Sequence, residues 1–214
     1  MPVITISRMY GSGGSLVAAE VAQALGWTLL DNAVLNEVAA RLGLPVAEVA
    51  AREERPPSLV ERLVATLSLG APEALAATRD GLPPSPEERM LDVTKRVIEE
   101  VAQKGPAVLV GRGAQCMLAT REDAMHVFCH APREALVARV AARLGRSAAE
   151  AARAVEETNR QREQWVKRHW QRDWRAAANY HLSVDTAFFG ISGAATLIVE
   201  VARQRFGEGS VSGR

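Results

Sequence analysis

The chain has 214 residues, 48% apolar and 24% charged, with a formal net charge of +1. That suffices for one well-cored domain with an elaboration, and the charge balance argues against a nucleic-acid partner, so any basic site must be local. Cys116 and Cys129 match neither a disulfide framework nor a CxxC metal pair and read as reduced core thiols. With no basic leader and no run of about 18 apolar residues, the expectation is a cytoplasmic chain without a membrane span.

Val3 to Ser7 is short, apolar and β-branched, the pattern of a buried strand. A glycine turn follows, and from Ser15 the apolar set Val17, Val21, Ala24 and Leu25 recurs at helical spacing until Gly26. Trp27 to Leu30 predicts a second strand, Asp31-Asn32 a polar break, and Ala33 to Leu42 another helix. A short helix then ends at Pro56-Pro57, and the Ala- and Leu-rich stretch to "GLPPSPEE" reads as a helical insertion over 44–86. Glu87 to Lys104 is an amphipathic helix. "PAVLVGRGA" predicts a third strand with a glycine turn at its end, and "MHVFCHA" a fourth, followed by a helix stopped at Gly145.

Ser147 opens a helical region through Trp174, rich in arginine and tryptophan. "HLSVDTA" is the fifth strand, Ser192 to Phe206 the last helix, and 207–214 a disordered tail. Five short strands alternating with helices imply an α/β fold, a five-stranded parallel sheet with helices on both faces. The core is assigned to 1–43, 87–140 and 178–206. Ligands bind such sheets beyond the carboxyl ends of the strands. The segments Ser7–Ser15, Asp31–Asn32, Gly111–Gly113 and Asp185–Thr186 are therefore expected in one crevice.

The stretch "ITISRMYGSGGS" has the strand–turn–helix context of a phosphate-binding loop. Against the pattern GxxxxGK[ST], Arg8 falls on the first glycine, Gly14 on the lysine, and Ser15 on the magnesium-ligating hydroxyl. Arg8 is the residue expected to supply the missing charge, as a planar fork rather than a point charge. A turn that merely packs helix on strand is the plainer alternative.

The blocks "ITISRMYGSGGSLVAAEVAQALGWTLLDNAVL", "VLVGRGA" and "NYHLSVDTAFFGISGAATLI" resemble the cytidylate kinase-like family of P-loop nucleoside monophosphate kinases. The resemblance implies transfer of the ATP γ-phosphoryl group to a nucleoside monophosphate such as CMP or dCMP, with Mg²⁺, on a P-loop NTPase-type core. It also implies a mobile lid, here 141–177, and a helical acceptor-binding arm. Carried over, Gly11, Ser12, Gly13, Gly14 and Ser15 hold the ATP phosphates, with Ser15 also on the metal. Arg8, Arg139, Arg143 and Arg162 are the catalytic cations, and Asp31, Arg112 and Asp185 contact substrate. Asn159 stands where the family's D-x-x-R pattern has its aspartate, and His181 where an acid follows the tyrosine. "NAVLNE" after Asp31 lacks the arginine and the Ser-Gly of cytidylate kinases.

The residues leave some roles open. Asp31 reads as a helix cap or a site residue, and Asp185 as a magnesium ligand, an arginine partner or a cap. Most arginines between 139 and 175 read singly as solvated faces paired with Glu150, Glu156, Glu157 and Glu163, whereas Arg112 reads as ligand-facing. Trp165, Trp170 and Trp174 read as packing or an interface, and the four histidines lack metal spacing. The expected partners are small nucleotides, with neither nucleic acid nor membrane, and a homodimer stays open. A nucleotide-binding regulator without transfer activity, a kinase of a non-nucleotide small acceptor, and a helical interaction protein remain the rival readings.

Overall fold

The computed structural model describes residues 1–31, 39–41, 43 and 86–207. The expected helical insertion, apart from Pro86, and the tail beyond Gly207 lie outside these residues, as does most of the helix expected over 33–42. The described strands are β1 (Val3–Arg8), β2 (Thr28–Leu30), β3 (Ala107–Val110), β4 (Ala124–His130) and β5 (Leu182–Asp185). They form one parallel sheet in the order β2-β3-β1-β4-β5. β1 is central because almost every side chain on it can be buried: Val3, Ile4 and Ile6 have no exposed surface. The chain passes from β3 on one side of β1 to β4 on the other, so the crevice of such a sheet opens at the carboxyl end of β1.

Side chains alternate across the sheet and create two cores. On one face, Ile4, Ile6, Val108, Val127 and Val184 pack against α1 (Gly14–Leu25) and the last helix, Thr186–Phe206. On the other, Val3, Ala107, Leu109 and Ala124 pack against α2 (Pro86–Lys104) and the short α3 (Ala114–Met117). Beyond the carboxyl edge, α4 (Arg133–Leu144) and α5 (Ala148–Trp170) share a smaller core of Leu136, Val137, Val140, Ala151 and Val155. α5 starts where Ser147 and Glu150 form a reciprocal capping box.

Three expectations change. α3 was not among the expected elements; at one helical turn it is too short to carry a period. The long helical region ends at Trp170 because Gln171 turns left-handed (φ 56°), so Trp174 lies outside the helix. The last helix, α6, begins at Thr186 rather than Ser192. The Asp185 carboxylate caps the amides of Ala187 and Phe188, and a kink at Gly190 (φ 70°) joins the two segments. By length and composition α6 would also qualify as a membrane span, contrary to the sequence expectation. Its face of Ala194, Ala195, Ile198, Val199 and Ala202 is buried against α1 and the sheet. Both cysteines are free; Cys129 is buried and Cys116 half-buried.

Inside the sheet, His126 is buried, with Nδ1 2.8 Å from Thr5 Oγ1 and its ring stacked on His181 at 5.0 Å between centroids. Burial, reinforced by His181 and Arg172 against the opposing Leu118 carbonyl, pushes its pKa down to about 4. The unfolded chain, with the ordinary value of 6.5, then binds the extra proton between these two pH values. The stabilisation is complete above the unfolded pKa and is lost as pH falls toward the folded one. Urea midpoints should therefore drop between about pH 7 and pH 4.5, and His126→Gln should flatten that slope; an unchanged slope would refute the assignment.

Candidate active site

Five residues, Met9 to Gly13, connect β1 to α1 and fold into a tight loop. Its start is tied to β4 through Met9 N–H to the Cys129 carbonyl, 2.9 Å. A β-carbon at Gly11 (φ 85°) would lie 2.7 Å from the Leu136 carbonyl oxygen, so α4 presses directly on the loop backbone. The buried Ser12 is fixed from two sides. Its carbonyl accepts from Thr186 Oγ1 (2.6 Å) and Arg139 Nη1 (3.2 Å), and its hydroxyl accepts from Gly14 N–H (3.3 Å). The amides of Gly11, Gly13 and Ser15 have no acceptor among the described residues. Three open donors at the amino end of a helix make a cradle for an anion. Ser15 adds an exposed hydroxyl in the first turn.

α5 holds the same loop from above. Asn159, 2% exposed, accepts the Tyr10 N–H at 2.8 Å, and Arg162 Nη1 donates to the Arg8 carbonyl at 2.7 Å. Arg143 lies over the Tyr10 ring at 5.0 Å, and Arg162 over it at 5.9 Å. The departure at Asn159 thus has a local consequence: a neutral amide takes the buried hydrogen bond with no charge to compensate.

The Arg8 side chain leaves the loop. Its Nη2 lies 3.8 Å from Asp31 Oδ1, at the far end of β2, so the chain crosses the end of β3 to get there. A β-carbon on Gly111 would overlap Arg8 Nη1, which explains the glycine at that crossing. The β-carbon of Arg8 also excludes one at Gly14. Glycine-then-lysine in the ordinary pattern and arginine-then-glycine here are thus sterically linked alternatives. The guanidinium points to Asp31 and Arg112 rather than to the loop amides, the direction expected of a lysine substitute.

The turn Gly111-Arg112-Gly113 is left-handed throughout, with φ of 72°, 58° and 67°. For Arg112 that conformation costs about 1 kcal/mol or more, a strain typical of functional positions. Burial first, then the nearby Arg8 charge, lowers the Arg112 pKa to about 10, with Asp31 opposing, so it stays cationic at neutral pH. Arg8, Arg112 and Arg162 line one cavity of about 90 Å³ with Ser7, Gln115, Trp165 and Trp174. Trp170 closes over Gly113 so tightly that a β-carbon there would overlap the indole.

The sequence-derived set therefore separates into two groups. Arg8, Arg112 and Arg162 converge on the cavity, with Asp31 beside Arg8. Gly11 to Ser15, Arg139 and Asp185 lie on the other side of β1. There Arg139 is committed to the Ser12 and Thr186 carbonyls and the Thr186 hydroxyl, and Asp185 caps α6. Arg160 and Arg175 pair with Glu157 and Glu163 on solvated faces. Sequence reasoning placed Asp185–Thr186 at the crevice but missed Gln115, the bond from Thr186 to the Ser12 carbonyl and the loop contact of Asn159.

The model of the cytidylate kinase-like family matches residues 3–187. The chain belongs to this family. No curated protein matches the sequence. Among solved structures, an uncharacterized protein from Eubacterium ventriosum shares the fold at a TM-score of 0.66 and 18% identity, over 94% of this chain and 98% of that one. Shikimate kinases from Bacteroides thetaiotaomicron (TM-score 0.50, 13% identity, covering 94% and 97%) and Acinetobacter baumannii, in complex with shikimate (0.50, 15%, 95% and 92%), share it more loosely. Family and fold are those of kinase-like proteins, whose general chemistry is nucleotide-dependent phosphoryl transfer.

The exclusion between positions 8 and 14 is measurable. Gly→Ala inside a helix ordinarily stabilises by about 0.5–1 kcal/mol, but Gly14→Ala should destabilise by about 1–3 kcal/mol through overpacking. In an Arg8→Gly background that cost should largely vanish. A urea double-mutant cycle showing additive effects would refute the linkage.

Proposed function

We propose that the protein transfers the γ-phosphoryl group of ATP to a nucleoside monophosphate, CMP or dCMP foremost. One observation carries this reading: Arg8, Arg112 and Arg162 meet in a single cavity across β1 from a cradle of open loop amides. An acceptor phosphate carries charge that guanidinium forks bind well, and the cradle suits the donor phosphates.

In this reading the Gly11, Gly13 and Ser15 amides hold the donor phosphates, aided by the amino end of α1. Asp31 orients Arg8 by ion pairing, and Arg8 and Arg112 hold the acceptor phosphate in line with the donor. Arg162, bonded to the Arg8 carbonyl, ties that seat to the loop and adds charge where the transferring group becomes more anionic. Arg143, resting on Tyr10, is the cation with freedom to turn onto the donor. Ser15 offers a hard oxygen donor beside the amides, which fits a magnesium ion that takes most of its ligands from phosphate and water. Bound there, Mg²⁺ would neutralise charge on the donor phosphates. Phe188, 82% exposed, and Phe189 stand near Ile191, which packs on Gly13, and offer the donor base an apolar seat.

The absence of lysine and the direction of Arg8 favour one second reading, a nucleotide-binding regulator without turnover. ADP release from Mg-ATP with CMP, dCMP, UMP and AMP separates the two. Turnover with a cytidine nucleotide is expected, and Arg112→Ala should lower kcat/KM for it about 10- to 100-fold, the worth of one charged hydrogen bond, while ATP affinity holds. ATP binding with no acceptor-dependent ADP release would favour the regulator. Separately, Phe188→Ser should raise KM for ATP and leave KM for the acceptor in place; equal effects on both would remove the base seat.

A further inference from the structure

Gln115 is 2% exposed, yet its carboxamide has no hydrogen-bond partner among the described residues. It sits in α3, directly after the Gly111-Arg112-Gly113 turn, and its side chain lines the same cavity as Arg8, Arg112 and Arg162. Its neighbours on the buried side of α3 are apolar: Ala114 and Leu118 join the core of α2 and β3. The little surface Gln115 keeps lies at the cavity it lines, so its carboxamide has given up most of its water without gaining a protein partner, an arrangement that costs stability. A leucine or methionine would fill this position at less cost. A carboxamide facing a cavity is the arrangement expected where a ligand supplies the missing bonds.

We infer that Gln115 recognises the phosphate acceptor, pairing its carboxamide with a neutral donor–acceptor edge of that molecule while the arginines of the same cavity hold its anionic group. This rests on the phosphoryl-transfer reading above and adds what selects the acceptor. A carboxamide carries both a donor and an acceptor, so it matches an edge that offers the reverse pair. The amino–imino edge of a cytosine ring is such an edge; a simple carboxylate or a second phosphate is not. Guanidinium groups cannot make this distinction, since they only donate. A site built to hydrogen-bond a substrate group also rejects analogues lacking it more strongly than an apolar pocket does. The carboxamide therefore carries selectivity and the arginines carry charge attraction.

The experiment compares wild type with Gln115→Met and Gln115→Glu by CMP titration calorimetry, ATP titration, steady-state KM and kcat, and melting of the ligand-free proteins. The expected result for Gln115→Met is CMP binding weakened at least about tenfold, the worth of a lost buried hydrogen bond, with ATP affinity unchanged. Its ligand-free Tm should rise by about 2–4 °C, as for 1 kcal/mol in a chain of this size. Gln115→Glu should weaken CMP further, since a carboxylate cannot donate to the ring acceptor and pairs with the arginines that hold the phosphate. A Gln115→Met protein that binds CMP as wild type does, or that loses CMP and ATP together, would overturn the inference. Should wild type bind none of the nucleoside monophosphates, the nucleotide-acceptor reading fails. Gln115 is then judged by the ligand-free melt, where a fall in Tm for Gln115→Met would show a stabilising partner and end its assignment.

Discussion

Two β-carbons cannot both occupy the space between the end of β1 and the start of α1, and Arg8 holds the one that is there. Much of the site follows from that exclusion. With Arg8 in place, position 14 must be glycine and the loop has no lysine. The displaced charge extends the other way, over a glycine at 111, to the carboxylate at the end of β2. The site thus keeps a cation at the tip of β1 but moves it from the helix side of the loop to the strand side.

That relocation divides the work between two kinds of positive potential. On one side are main-chain amides, whose partial charges are fixed by the fold and need no counter-ion. On the other are full charges from Arg8 and Arg112, close enough that each disfavours the other and Asp31 offsets part of the repulsion. On the proposed reading, an anion entering here would offset more of that repulsion. The cradle is held stiff by Thr186, Arg139 and Asn159, each bonded to loop backbone. Stiffness matters because the amides act only if they already point at the phosphate.

The sheet and the loops at its carboxyl edge were legible in the sequence, since buried parallel strands leave short apolar runs and glycine turns leave gaps between them. Ser147 marked the start of α5, and "GRG" announced a glycine turn, whose strain at Arg112 only the structure shows. What could not be read is direction. Nothing local says that Arg8 reaches toward β2, or that Arg139 spends its donors on carbonyls; those depend on partners from other elements, Asp31 for Arg8 and Ser12 and Thr186 for Arg139. Gln115 was invisible for a related reason. A glutamine after a glycine turn looks like ordinary solvent-facing polarity, and only burial without a partner sets it apart. Thr186 was placed at the crevice by its position after a strand-ending aspartate, but its bond to the Ser12 carbonyl was not legible.

The indoles that close the cavity carry an optical consequence. Of the four tryptophans, Trp27 lies in the core beneath α1, while Trp165, Trp170 and Trp174 surround the Gly111–Gly113 turn and the cavity wall. Their emission is governed by local water and by nearby cations. If the proposed acceptor phosphate replaces solvent between the guanidinium groups, the intrinsic fluorescence would report it without a label, with Trp27, in the core beneath α1, as an internal reference.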